Sequence, residues 1–173
     1  MENKLPQRKH VRLKQHNYNV TGSYFVTICT SDRKNTLCDI VGAIHESPDI
    51  QLKPYGEVVK GIIDNLPDNL YAIVDRYVIM PNHIHLVFVI TRENEERAIL
   101  ESPLRYKSII SNAVSYIKMN TSKQIHQAFD NTERIWQRSF YEHIIRNKDD
   151  YDNIVKYIAE NPIKWFYDEL YTK

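Results

Sequence analysis

Cysteine is nearly absent: Cys29 and Cys38 are the only two among 173 residues, and they form no C-x-x-C pair. A structural zinc knuckle and a disulfide framework are thereby excluded, and a reducing cytoplasm suits such a chain. Also missing is any apolar run near the roughly 20 residues a membrane span requires, in keeping with a mean hydropathy of −0.52. The opening stretch MENKLPQRKHVRLKQ lacks the apolar centre of a secretory signal. No internal repeat or low-complexity tract interrupts the sequence. The expectation is a cytoplasmic protein with no membrane partner. What is present, 42% hydrophobic and 26% charged residues, suffices for one buried core with a short appendage.

Charge is unevenly placed beneath a net of +1. Residues 1–19 hold five basic side chains and one acidic, residues 20–103 hold seven against twelve, and residues 104–164 hold ten against seven. A basic arm and a basic second half could neutralise phosphates along one face. Solvated helix surfaces would give the same pattern, so charge permits nucleic acid without demanding it.

Periodicity lays out the elements. Gly22–Thr30, rich in β-branched and aromatic residues, predicts a strand. Residues 31–53 read as a loop with room for one short strand. Apolar positions Val58, Val59, Ile62 and Ile63 predict a helix over Tyr55–Asn65, closed by Pro67. Ala72–Met80 and His83–Ile90 read as a hairpin around Pro81-Asn82. Thr91–Glu101 reads as an acidic loop. Ser102-Pro103 offers the start of a helix running to about Asn120. Residues 120–134 read as polar loop, and Ile135-Trp136 with Phe140–Ile145 as short strands. A last helix spans Lys148–Glu160 and stops at Asn161-Pro162. The order strand–helix–strand–strand–helix–strand predicts an α+β, ferredoxin-like split βαβ sandwich, its central antiparallel sheet carrying the His-x-His strand, plus a C-terminal tyrosine helix. The domain is expected over residues 20–165, between a basic arm (1–19) and a tail (166–173).

The most chemical stretch is Met80-Pro-Asn-His-Ile-His-Leu-Val-Phe-Val-Ile90. Side chains alternate along a strand, so His83 and His85 share a face about 7 Å apart. Two imidazoles so placed can converge on one cation, although a pair of turn histidines held by hydrogen bonds fits the pattern as well. Three residues could supply a third ligand: His143, Asn161 and Glu142. On the final helix the stripe Tyr151, Ile154, Val155, Ile158 reads as core. Tyr157 lies on its flank, with Asn161 and Asp150 on the same side. A phenol there could meet a substrate as a nucleophile or be an interfacial tyrosine with a wet hydroxyl.

Three blocks in order carry a resemblance to a known family. They are Gly22-Ser-Tyr-Phe-Val-Thr-Ile-Cys-Thr30, then Asp75-Arg-Tyr-Val-Ile-Met-Pro-Asn-His-Ile-His85, then Trp136-Gln-Arg-Ser-Phe-Tyr-Glu-His-Ile-Ile-Arg146 followed by Tyr157-Ile-Ala-Glu-Asn-Pro162. Together they resemble the histidine-hydrophobic-histidine single-tyrosine transposases, and among these the REP-associated tyrosine transposases, relatives of the IS200-type insertion-sequence enzymes. The resemblance implies that His83 and His85 bind a catalytic divalent metal and that Tyr157 is the nucleophile. Asn161 stands where related enzymes carry a polar metal ligand, and an oxygen donor there suits Mg²⁺ or Mn²⁺. His143 matches a family histidine near the site and is open as ligand, acid–base group or DNA contact.

The activity so implied is cleavage and rejoining of single-stranded DNA near hairpins through a 5′-phosphotyrosine intermediate, by a nucleoid-associated monomer or homodimer. Arg134, Arg138, Arg146, Lys107, Arg105 and Lys118 could grip phosphates, Trp136 or Tyr141 could stack on bases, and Arg8, Lys9, Arg12 and Lys14 could hold a hairpin stem. Two other readings stand beside this one. A hydrolytic nuclease would keep the metal and use water, and a domesticated protein would bind hairpin DNA without cutting it.

Overall fold

The computed structural model describes residues 21–42, 48–101 and 108–172. The expected basic arm with Arg8, Lys9, Arg12 and Lys14, the helix start at Ser102-Pro103, and the side chains of Arg105 and Lys107 lie outside the described residues. Among those described, no helix is long and apolar enough to cross a membrane.

Four strands form the main sheet: β1 (Gly22–Cys29), β4 (Ile73–Met80), β5 (His83–Ile90) and β6 (Tyr141–Ile145). Their order is β4-β5-β1-β6, with every neighbouring pair antiparallel. That is the expected split βαβ arrangement, in which the hairpin strand β5 lies beside β1 at the centre. Both faces of β5 are apolar, and both are covered. On one face Tyr24, Val26, Ile28, Ile84, Leu86, Phe88 and Ile90 pack with Val59 and Ile63 of α1 (Pro54–Asp64) and Ile110 and Ile117 of α3 (Ile109–Phe129). On the other, Phe25, Val78, Met80 and Val87 meet Ile158 of α4 (Lys148–Glu160) and Trp165. The fold is thus an α+β sandwich with α1 and α3 on one side of the sheet and α4 on the other.

Three segments differ from expectation. Residues 31–53 contain a second antiparallel pair, β2 (Cys38–Val41) with β3 (Asp49–Leu52), whose Ile40 and Ile50 pack against the α4-side core. The acidic stretch after β5 is a helix, α2 (Arg92–Glu101). Its Arg92–Glu96 pair is spaced one turn apart at 3.1 Å, Thr91 Oγ1 accepts from the Asn94 backbone N–H, and Ala98 is buried. Among the described side chains of this helix, Ala98 is the buried one, and the surrounding charge hid it.

Finally, α3 does not stop near Asn120. Thr121 and Ile125 continue the buried row of Ile110, Val114 and Ile117, so the helix persists through a run whose solvent side is polar. Ser108 caps it, accepting from the Ser111 backbone N–H at 3.1 Å.

The β2–β3 pair sits hard against α1. A Cβ on Gly56 would stand 2.0 Å from the Leu37 carbonyl oxygen, a backbone atom that cannot swing away. Gly56→Ala is therefore expected to cost about 2–3 kcal/mol by overpacking, lowering Tm by roughly 5–10 °C. Gly61→Ala in the same helix meets nothing within 4 Å and should leave Tm unchanged or raise it slightly. Thermal unfolding of both variants checks the contrast.

Candidate functional site

The turn between β4 and β5 sets the chemistry. Asn82 is fully buried, and its amide nitrogen faces three acceptors: Leu170 O at 2.8 Å, Thr172 Oγ1 at 3.1 Å and Arg33 O at 3.3 Å. Two of these are carbonyls and can only accept, so the Asn82 nitrogen is the donor and its Oδ1 is turned to His83 Nδ1, 2.9 Å away. His83 Nδ1 must then carry the proton, which leaves its Nε2 as a bare lone pair. That lone pair points at His85 Nε2, 3.0 Å distant. His85 Nδ1 is held by Thr27 Oγ1 at 2.8 Å from the paired position on β1.

Both imidazoles are almost wholly buried. Burial, and then the nearby Arg33 charge, holds His83 down to about 3. Burial, and then the neighbouring His83, keeps His85 well below the ordinary histidine value. Both rings are neutral at physiological pH, the form that binds a metal.

The α4 helix begins at an Asn147 cap, whose side chain accepts from the Asp150 backbone N–H at 2.8 Å. Its stripe of Tyr151, Ile154 and Ile158 packs on the sheet. That docking leaves Tyr157 on the flank, 42% exposed, with its ring edge-on to His85 and Phe25 at centroid distances of 5.2 and 6.1 Å. The hydroxyl is 3.3 Å from His85 Nε2 and 3.3 Å from Asp168 Oδ2. Burial, followed by the Asp168 charge, pushes the phenol up to about 12. One turn on, Asn161 is buried and donates from Nδ2 to Asp168 Oδ2 at 2.9 Å, while its Oδ1 is buried without a partner.

These groups border a cleft of about 770 Å³, walled by Phe25, Thr27, Tyr141, Tyr157, Arg33 and Lys164 among others. The chain after α4 folds over its inner end. Trp165 lies 5.9 Å from the His83 ring, and Leu170 and Thr172 dock on Asn82. Asp168 is thereby brought to the two histidines, with one donor atom from each of the three side chains within 4.8 Å of the others.

The structure thus gathers His83, His85, Tyr157 and Asn161, and separates other expected residues from them. Glu142 lies opposite Val26 and shares its face, toward α1 and α3, so it cannot reach the histidines. His143 lies opposite Phe25 on the cleft side of the sheet but bonds Asp150 at 3.0 Å, near the start of α4.

Trp136 is a correction: it is 4% exposed and donates to Thr121 Oγ1 at 2.8 Å, so it is a core anchor with no ring face free for a base. Lys118 is occupied too, its ammonium shared by the carbonyls of Gln137, Arg138 and Ser139, and burial lowers it to about 8. Arg134, Arg138 and Arg146 are exposed, as is Tyr141.

Sequence reasoning missed Asn82, Asp168, Arg33 and Lys164. The first has a local signal, a polar side chain directly before His-x-His. Asp168 has none, since it reaches the site only through the turn at residues 165–167.

The donor set fits a divalent ion. Two neutral imidazoles present nitrogens 3.0 Å apart, the separation expected of adjacent ligands each about 2.1 Å from one ion. A carboxylate stands beside them, and Asn82 fixes a tautomer from behind. Sheet, histidine pair and facing helix define an α+β protein of the histidine-hydrophobic-histidine kind in which the helix presents Tyr157 at the cleft.

The family described as "Transposase IS200 like" matches residues 40–161, and the chain belongs to that family, whose function is that of a transposase. It is also 31% identical over 176 residues to a Haemophilus influenzae protein of uncharacterized role, covering 97% of this chain and 95% of that one. The structure of the REP-associated tyrosine transposase bound to a REP hairpin superposes with a TM-score of 0.57 at 22% identity, covering 88% of this chain and 74% of that one. The two share a fold.

Proposed function

We propose that the chain is a metal-dependent enzyme that cleaves and rejoins single-stranded DNA near hairpins through a 5′-phosphotyrosine intermediate. The observation that carries this reading is the Tyr157 hydroxyl, exposed at the cleft and 3.3 Å from His85 Nε2. Bound between His83, His85 and an oxygen donor, Mg²⁺ or Mn²⁺ would neutralise charge on the scissile phosphate.

Tyr157 supplies the attacking oxygen. Its bond to phosphorus forms as the bond from phosphorus to the 3′-oxygen breaks. The phenolic proton passes to water at the open side of the cleft, and the departing oxygen takes up a proton to become a 3′-hydroxyl. The phosphotyrosine keeps a phosphodiester bond, so a second 3′-hydroxyl can reverse the step onto a new strand without ATP. Phe25 and His85 hold the phenol ring in place for this attack.

Arg33 and Lys164 on the cleft wall, with exposed Arg134, Arg138 and Arg146, suit backbone phosphates. Exposed Tyr141 suits an unpaired base. His143, Lys107 and the basic arm are further candidate DNA contacts in this reading. The protein acts at the nucleoid, as a monomer or homodimer, on hairpin-bearing single strands.

The test uses end-labelled single-stranded hairpin oligonucleotides from the gene's own flanks, with Mg²⁺ or Mn²⁺, on a denaturing gel. A retarded covalent band carrying the label on the 5′-phosphate side of the cut is expected. Free 5′-phosphate ends with no adduct would replace strand transfer by hydrolysis. Hairpin binding that is equally tight with and without metal, with no cut, would leave a binding module.

A further inference from the structure

We propose that Asp168, carried on the segment after α4, is the third metal ligand, and that Asn161 is the residue that positions it. This rests on the metal-dependent reading above, and it departs from what the family resemblance implies, which places the third ligand at Asn161 itself.

Three observations carry it. The first is the orientation of the Asn161 amide. Its partner at 2.9 Å is a carboxylate oxygen, which only accepts, so the nitrogen faces Asp168. Turning the amide over would set two oxygens against each other. An amide NH2 is a donor whose nitrogen lone pair is delocalised into the carbonyl, so the end of Asn161 turned to Asp168 is the wrong atom for a ligand.

The second is charge. His83 and His85 bring the Nε2 atoms of two neutral rings within 3.0 Å of each other. A carboxylate oxygen of Asp168 completes a cluster whose donor atoms all lie within 4.8 Å of one another. Two imidazoles and one carboxylate hold a divalent ion on one side and leave coordination positions free for a phosphate.

The third is how Asp168 is held. Its Oδ1 accepts from the Leu170 backbone N–H at 2.6 Å, and the Leu170 carbonyl is held by Asn82 Nδ2 at 2.8 Å. The other end of that Asn82 amide fixes His83 Nδ1 at 2.9 Å. One buried side chain therefore sets the tautomer of one ligand and the position of the segment that carries another. This is the support that metal ligands receive from the residues behind them.

The experiment needs no DNA. Mn²⁺ is titrated into the full chain and the free ion is followed by its EPR signal, for wild type, Asp168→Asn and Asn161→Ala. Asp168→Asn keeps an oxygen to accept from Asn161, and matched circular dichroism of the metal-free proteins confirms the fold. A loss of at least about tenfold in Mn²⁺ affinity is expected for Asp168→Asn, with a smaller loss for Asn161→Ala.

A second variant reads ligation directly. Loaded with Co²⁺, Asp168→Cys is expected to gain a thiolate-to-cobalt charge-transfer band in the near ultraviolet, which neither wild type nor Asn161→Cys shows. Wild-type affinity in Asp168→Asn, or the band appearing in Asn161→Cys instead, overturns the assignment. Absence of Mn²⁺ binding by wild type overturns the site as a whole. Because the readout is metal binding, it stands apart from the covalent band: loss of that band with these results intact would fault the transesterification and leave Asp168 a ligand.

Discussion

Tyr157→Phe should abolish covalent attachment to DNA while leaving metal and hairpin binding within about twofold of wild type. The substitution removes one oxygen. The phenyl ring keeps its edge-on contacts to His85 and Phe25, and the hydrogen bonds it gives up are long, 3.3 Å to each partner. Loss of such bonds at a half-exposed position costs less than about 1 kcal/mol, so the fold is not at stake. The chemistry is, because no other described phenol hydrogen-bonds His85. Loss of a covalent nucleophile lowers turnover by at least about 10⁴-fold, which on a denaturing gel is disappearance of the adduct. Cleavage that persists in Tyr157→Phe and yields free 5′-phosphates would make water the nucleophile. With its proton held up to about 12 by burial and by Asp168, almost no Tyr157 is ionised at neutral pH, so the proposed nucleophile would need a cation. Bound positive charge beside Asp168 would offset that field and favour the phenolate.

The sheet was legible because its signals are local. In β5 the hydrophobic run is continuous and ends at Pro81-Asn82, so strand, turn and shared face of His83 and His85 follow from alternation alone. The α4 helix was equally plain, its stripe of Tyr151, Ile154 and Ile158 placing Tyr157 on the flank by periodicity alone. Where the reading failed, tertiary context had overridden composition. The α2 helix looks like an acidic loop because, among its described side chains, only Ala98 is buried. Residues 121–129 look like a polar loop because only Thr121 and Ile125 continue the buried row. Trp136 was offered as a base platform since an aromatic between arginines suits one, yet Thr121 sits 2.8 Å from its indole nitrogen, a partner 15 residues away that no spacing rule supplies. Asp168 is the sharpest case. Nothing in its neighbourhood resembles a ligand motif, and the segment that carries it is tied down by Asn82, far away in sequence, through Leu170 and Thr172.

Replacing both histidines should remove metal binding and strand cleavage together, and it should also change how the protein responds to acid. In the folded chain without metal, His83 is held down to about 3 and His85 well below its ordinary value, in each case mainly by burial. Unfolding exposes both to water, where each titrates near 6.5. Above that pH neither state binds the extra protons and the pair is neutral toward stability. As pH falls below 6.5 the unfolded chain takes up protons that the folded chain refuses, and stability declines by about 1.4 kcal/mol per pH unit through His83. By pH 4.5 His83 alone costs about 2.7 kcal/mol, and His85 adds to the loss in the same direction. Wild type stripped of metal should therefore unfold at progressively lower urea between pH 6.5 and 4.5. His83→Ala/His85→Ala should start less stable at pH 7, having lost buried packing, but run nearly flat over that interval. Saturating Mn²⁺ should raise the wild-type curve by about 2.7 kcal/mol at a hundredfold excess over Kd and leave the double variant unmoved. A double variant as acid-labile as wild type would place the acid-sensitive groups elsewhere, whereas a flat profile without any Mn²⁺ effect in wild type would keep the histidines buried and neutral but deny them a metal.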